Sequence, residues 1–314
     1  MNNPSNKHAL TELIRNEALR LGFLECGFSK ARHLSEVKPV LDEWLAEKRN
    51  ASTEYMEQNI EKRLDPSLLV ENSKTVISLL FNYYSNDKLS SSFKIARYAY
   101  GSDYHFVLKD KLKQLDNFIR QHANVDAQRY FVDSAPVMER AWAQESGLGW
   151  IGKNSCLISR RHGSFVFLAE IITTLELDYD EFINDYCGNC RNCIDACPTH
   201  AILENRTLDS NKCISYHTIE NRGEIPEELK SKFSGYIFGC DICQEVCPWN
   251  TKAHKHNEPL FQLRKNIRNF SDNDWVALDE ETYRASFKGS PVKRTKFSGI
   301  KRNIKCVMSS RESD

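Results

Sequence analysis

Apolar residues recur every three to four positions through residues 5–21, 35–48 and 103–122, the spacing of helices that bury one face. Gly22 follows the first of these and marks its stop. Two other stretches lack that period. "TVISLLFNYY" (75–84) and "SFVFLAEIITTLEL" (164–177) are rich in β-branched and aromatic residues, as buried strands are. Residues 129–149 read as a short strand, a turn, a helix and a glycine stop. Residues 1–180 therefore predict a mixed α/β unit. Between 181 and 250 the apolar periodicity fades and cysteines take over, and a region with so little core is usually held by metal. From 251 to 314 the pattern is mixed and predicts helices.

With 314 residues, 40% of them hydrophobic, the chain can bury one large core or two smaller ones. Lys+Arg and Asp+Glu both number 43, so any pull on nucleic acid or membrane must be local. The N-terminus lacks the apolar run of a signal peptide, and no stretch approaches the roughly 18 apolar residues of a membrane span. A soluble cytoplasmic protein with no membrane partner is expected.

Eleven cysteines in a reducing compartment argue against a disulfide framework. Cys26, Cys156 and Cys306 are scattered and read as inert or buried thiols. The other eight lie between Cys187 and Cys247. Cys187, Cys190, Cys193 and Cys197-Pro198 have the spacing of a bacterial ferredoxin. Two-residue gaps let successive thiolates reach different irons of one cubane, and the cysteine before proline points to a second cluster. A second block supplies Cys240, Cys243 and Cys247-Pro248, and Cys213 stands in for its missing member. Reciprocal pairing then gives Cys187, Cys190, Cys193 and Cys247 to one [4Fe–4S] cluster, and Cys197, Cys213, Cys240 and Cys243 to the other. Zinc could also consume eight thiolates, but it needs neither the third closely spaced cysteine nor the doubled Cys-Pro.

Gly147, Gly149 and Gly152 match a dinucleotide fingerprint on paper, yet they follow a helix and lead to a strand, the reverse of what that fingerprint requires. A phosphate loop fails too, because Asn154 stands where Ser or Thr must bind magnesium. The reading left is a turn that lets backbone approach a large ligand, with Lys153 and Asn154 as polar contacts. Asp133 ends the strand "RYFVD" just before a helix. Either it caps that helix, or burial holds a proton on its carboxyl for delivery to a substrate.

The segments "IARYAYGSDYH" (95–105), "VDSAPVMERAWAQESGLGWIGKN" (132–154) and "CISYHTIENRGEIP" (213–226), with the ferredoxin block, resemble the epoxyqueuosine reductase family across nearly the whole chain. The resemblance implies an α+β protein: a cobalamin-binding α/β domain at 1–180, a ferredoxin-like domain with two clusters at 181–250, and an extension at 251–314. It implies two [4Fe–4S] clusters and cobalamin as cofactors, and an external low-potential electron donor. The substrate implied is tRNA with epoxyqueuosine at the wobble position, reduced to queuosine. Asp133 matches the proton donor. Arg97, Tyr104, His105, Lys153, Asn154 and Ser215 match residues around the cofactor. A monomer is expected, without the helical-repeat domain that many members carry at the C-terminus.

Residues 287–306 hold seven Lys/Arg and no acid. Beside a tRNA-modifying resemblance, Lys293, Arg294, Lys296, Lys301 and Arg302 are expected to contact RNA phosphates. Two rival readings stand: a corrinoid reductive dehalogenase, and a ferredoxin-like electron carrier with no corrinoid.

Overall fold

The computed structural model describes residues 4–311. Among them the strands are β1 (Glu25–Lys30), β2 (Thr75–Asn82), β3 (Lys94–Ile95), β4 (Gln128–Phe131), β5 (Trp150–Ile151), β6 (Leu157–Ile158), β7 (Val166–Thr173) and β8 (Tyr236–Phe238). Four of these form an antiparallel sheet in the order β1-β2-β7-β4. The central pair, β2 and β7, is buried on both faces, which is why neither shows the alternation of a half-exposed strand. Ile77, Leu79 and Phe81 of β2, with Phe167, Ala169 and Ile171 of β7, face one core. Val76, Leu80, Leu168 and Ile172 face the other side.

The expected helices form as Pro4–Arg20, Lys38–Ala46 and Tyr104–His122. The last buries Val107, Leu108, Leu112, Leu115 and Ile119, a single stripe at helical period, against the first core. Asp103 caps it, with Oδ1 accepting the His105 N–H at 3.1 Å. The opposite face of the sheet carries the short helix Glu139–Glu145, whose Trp142 is 1% exposed.

Residues 214–238 carry more core than the sequence suggested. Ile214, Phe233 and Ile237 share one apolar cluster with Phe93 and Tyr100, and with Trp275, Phe287, Ile300 and Ile304. Strand β8 pairs in parallel with β3, and the helix Lys296–Arg311 packs on β8. Buried amides join the cysteine-rich part to the main sheet. Asn250 Oδ1 accepts the Ser164 N–H at 2.6 Å, and Gln244 Nε2 donates to the Ser164 carbonyl at 2.8 Å. Asn250 Nδ2 also donates to Ser164 Oγ at 2.9 Å and to the Gln244 carbonyl at 2.7 Å. Among the described residues no helix is long and apolar enough to cross a membrane.

Candidate functional site

Strand β4 ends at Phe131, and the chain turns through Asp133 with φ of +45°, a left-handed conformation that Asp tolerates better than most residues. Asp133 does not cap the helix that follows. The N-cap there is Met138, which makes no side-chain capping bond. Instead Asp133 Oδ2 accepts the Tyr104 hydroxyl, and His105 Nε2 lies 3.9 Å from the same oxygen. The expected burial is also absent: the Asp133 side chain is 61% exposed. The Tyr104 and His105 rings stack beside it at 4.2 Å, and Tyr104 stacks in turn on Phe167 at 4.4 Å. Burial, and then the Asp133 carboxylate, push the Tyr104 hydroxyl up, so it keeps its proton and donates.

Two further acids stand behind Asp133, and the sequence reading missed both. Glu139 Oε1 accepts the Asp133 N–H at 2.5 Å. Glu170, in the middle of β7, is 0% exposed and contacts Glu139. Burial and then the Asp133 charge push Glu139 up to about 8. Burial and then Glu139 push Glu170 up as well. No protein donor reaches either Glu170 oxygen among the described residues, and a hydrogen bond between the two carboxyls needs a proton on one of them. An acid inside an otherwise apolar strand run was the signal that could have found Glu170.

The eight cysteines converge as two sets. Cys193 lies within electrostatic reach of Cys187, Cys190 and Cys247, and Cys247 of Cys187 and Cys190. Separately, Cys213 faces Cys197, Cys240 faces Cys213 and Cys197, and Cys243 faces Cys240 and Cys213. Cys187, Cys190, Cys193 and Cys247 line one cavity, closed by Lys153 and Trp249. Among the described residues no group of three or more His, Cys, Asp or Glu side chains is drawn together tightly enough to hold a single metal ion. N–H groups point at the sulfurs. The Trp150 indole donates to Cys187 Sγ at 3.4 Å, the Ala201 amide to Cys197 Sγ at 3.3 Å, and the Ser215 and Tyr216 amides to Cys213.

Four residues expected around the cofactor sit by these loops. Lys153 Nζ donates to the carbonyls of Gly188 and Cys190, at 2.8 and 2.9 Å. Asn154 Nδ2 donates to the Cys243 carbonyl at 3.4 Å. Arg97 pairs with Asp241 at 3.1 Å and with Glu245 at 2.6 Å, on either side of Cys243. Ser215 opens the helix Ile214–Ile219 next to Cys213. The glycine turn gives room to the protein's own backbone. A Cβ on Gly149 would meet the Ile158 carbonyl at 2.3 Å, across the β5–β6 hairpin. Cys156, read as inert, hydrogen-bonds Cys243.

The basic segment is mostly committed to the protein. Lys301 Nζ donates to the Val276 carbonyl at 2.7 Å. Arg302 donates to the carbonyls of His217, Asn221 and Gly223. Arg294 makes two bonds of 2.9 Å to Glu220, and it lies within electrostatic reach of Asp133. Lys293 and Lys296 are exposed, with no side-chain partner among the described residues.

An epoxyqueuosine reductase from Cellulophaga algicola is 50% identical over 303 residues, covering 96% of this chain and 98% of that one. The chain belongs to the epoxyqueuosine reductase family. An epoxyqueuosine reductase from Escherichia coli is 37% identical over 97% of this chain and 82% of its own length. A crystal structure of an epoxyqueuosine reductase with an epoxyqueuosine-modified tRNA stem loop superposes with a TM-score of 0.88 at 29% identity, covering 96% of this chain and 81% of that one. Residues 63–134 match the family model "Epoxyqueuosine reductase QueG, DUF1730", a span that contains Arg97, Tyr104, His105 and Asp133. Residues 186–250 match the "4Fe-4S double cluster binding domain", which contains all eight clustered cysteines. The fold is thus that of an epoxyqueuosine reductase, α+β with a double-cluster domain, and the chain is an oxidoreductase.

Proposed function

We propose that this chain removes the epoxide oxygen of epoxyqueuosine at the wobble position of tRNA, with Asp133 as the acid that protonates the departing oxygen. The change from epoxide to alkene takes two electrons and two protons and releases water. Side chains hold no low-potential electrons, so bound cofactors and an external donor must provide them. A corrinoid, when bound, supplies a low-potential metal centre able to reduce the epoxide carbon. The site fits such a group: Asp133 is open on one side and walled by the flat rings of Tyr104 and His105. Two [4Fe–4S] clusters supply one-electron steps when bound. Cys187, Cys190, Cys193 and Cys247 would hold one, and Cys197, Cys213, Cys240 and Cys243 the other, in line with the two sets of facing thiols.

The residues of the chain do the rest. Tyr104 fixes the Asp133 carboxyl by donating to Oδ2, which leaves Oδ1 for the substrate. Asp133, open to water, would take a proton from solvent and pass it to the leaving oxygen, sparing it from departing as an alkoxide. Arg97, Lys153, Asn154 and Ser215 hold the cysteine loops in register. The modified base must leave its stack to reach Asp133, and Lys293 and Lys296 are free to meet the phosphates around it. We read the chain as a cytoplasmic monomer.

One observation carries this reading: an open acid, oriented by Tyr104, within reach of Arg294 from the basic segment. The test is Asp133→Asn, reconstituted anaerobically with iron, sulfide and cobalamin. Iron content and corrinoid absorbance should match the parent, while queuosine formation in epoxyqueuosine tRNA falls at least ~100-fold. Undiminished turnover would remove the acid assignment. Failure of the parent chain to take up a corrinoid would remove the cofactor. Dehalogenation of a halogenated phenol without action on tRNA would favour the dehalogenase reading.

A further inference from the structure

Asp133 sits in a backbone conformation that costs a non-glycine residue about 1 kcal/mol, so something must hold it there. Two bonds do: the carboxyl accepts from Tyr104, and the N–H donates to Glu139 Oε1 at 2.5 Å. Glu139 opens the helix Glu139–Glu145 and reaches back across the turn 133–138. Behind it stands Glu170, fully buried, with neither oxygen served by any protein donor among the described residues. In the sheet, Glu170 lies opposite Ser78 of β2 and Phe131 of β4, so it is fixed by register and cannot swing to water.

We propose that Glu139 and Glu170 share a proton and form a latch that holds the Asp133 turn in place, and that loss of this proton frees the turn. With the proton present, one carboxyl donates to the other, and Glu139 keeps an oxygen for the Asp133 N–H. Without it, two facing carboxylates repel beside the fully buried Glu170, and the partly exposed Glu139 is the one able to move. The charges around the pair favour keeping the proton. Asp133 adds negative charge on one side, and burial acts on both carboxyls. Arg140 alone among the groups acting on Glu139 brings positive charge, and its guanidinium is bonded to the Ser155 carbonyl. Tyr104 keeps its proton and faces Asp133. From β2 comes only the neutral Ser78 hydroxyl, which is 3.2 Å from Ser146 Oγ. Glu139 and Glu170 are thus positioning residues for the acid, an assignment that rests on Asp133 having that role.

Hydrogen–deuterium exchange of the 132–138 backbone tests the latch on the full chain, with no substrate or corrinoid needed. In the parent, protection corrected for intrinsic rates should hold at mildly acidic pH and fall roughly tenfold as pH rises past about 8. Glu139→Ala should lose a similar factor at every pH. Glu170→Gln supplies a permanent N–H donor to Glu139, so protection should persist where the parent loses it. Glu139→Gln gives the same permanent pairing from the other side, and serves if the first variant does not fold. Parent protection that ignores pH, or glutamine variants that titrate like the parent, would overturn the latch. Because exchange is read without turnover, the latch can fail while the acid assignment stands. Conversely, an active Asp133→Asn would remove the acid and leave the latch intact.

Discussion

Arg302→Ala separates a grip on RNA from a grip on the protein. Arg302 Nη1 donates to the carbonyls of Asn221 and Gly223 at 2.8 and 2.7 Å, and Nη2 to that of His217 at 2.6 Å. These carbonyls surround the end of the helix Ile214–Ile219, where a cation opposes the helix dipole. Hydrogen bonds from a charged group contribute about 1.5–3 kcal/mol each, but bonds from one guanidinium do not add. A loss of roughly 3 kcal/mol follows, and with it a fall of about 4–5 °C in Tm for a chain of this size. Calorimetry on the reconstituted protein measures it. Lys296→Ala is the contrast, since Lys296 is exposed and unpartnered. It should leave Tm unchanged, while the salt slope of stem-loop binding drops by about 0.7–0.9. An Arg302→Ala protein that keeps its Tm but binds RNA more weakly would refute the structural role.

Two other outcomes follow from the same geometry. Trp150→Phe removes the N–H bond to Cys187 Sγ, which favours the more negative, reduced cluster. The potential of that cluster should fall by about 40 mV, taking roughly 1 kcal/mol for the bond. An unshifted midpoint in a spectroscopically monitored titration would discount the contact. Glu139 has its folded pKa raised from 4.5 to about 8, so its contribution to stability is full below 4.5 and is lost as pH rises through about 8. Glu170→Gln should flatten the decline between pH 4.5 and about 8 in denaturant unfolding, and parallel pH curves for the two proteins would contradict the pairing.

Periodicity disclosed the parts whose burial is one-sided and continuous. The helix Tyr104–His122 was legible because Leu108, Leu112, Leu115 and Ile119 repeat on one stripe. Strands β2 and β7 were legible as uninterrupted apolar runs. Cysteine spacing was equally clear, because a cubane constrains neighbours in sequence. What remained hidden depends on residues far apart in the chain. Glu139 and Glu170 meet only because β4 and β7 pair at Phe131 and Glu170. Lys153 faces the cysteine loops because the β5–β6 hairpin folds toward Gly188 and Cys190, which no local pattern announces. Charge counting could not show the internal contacts of the 287–306 segment for a related reason. Composition counts cations, but Lys301 and Arg302 spend theirs on carbonyls contributed by other elements.

Ser164, Gln244 and Asn250 meet where the start of β7 touches the second cysteine block, and a Cβ on Gly163 would come within 2.1 Å of Asn250 Oδ1. So close a seam leaves no slack for a hinge. Electron tunnelling decays steeply with distance, and here that distance is established once, when the chain folds. Any tuning of the transfer during a catalytic cycle would then have to come from driving force, not from one half of the molecule sliding against the other.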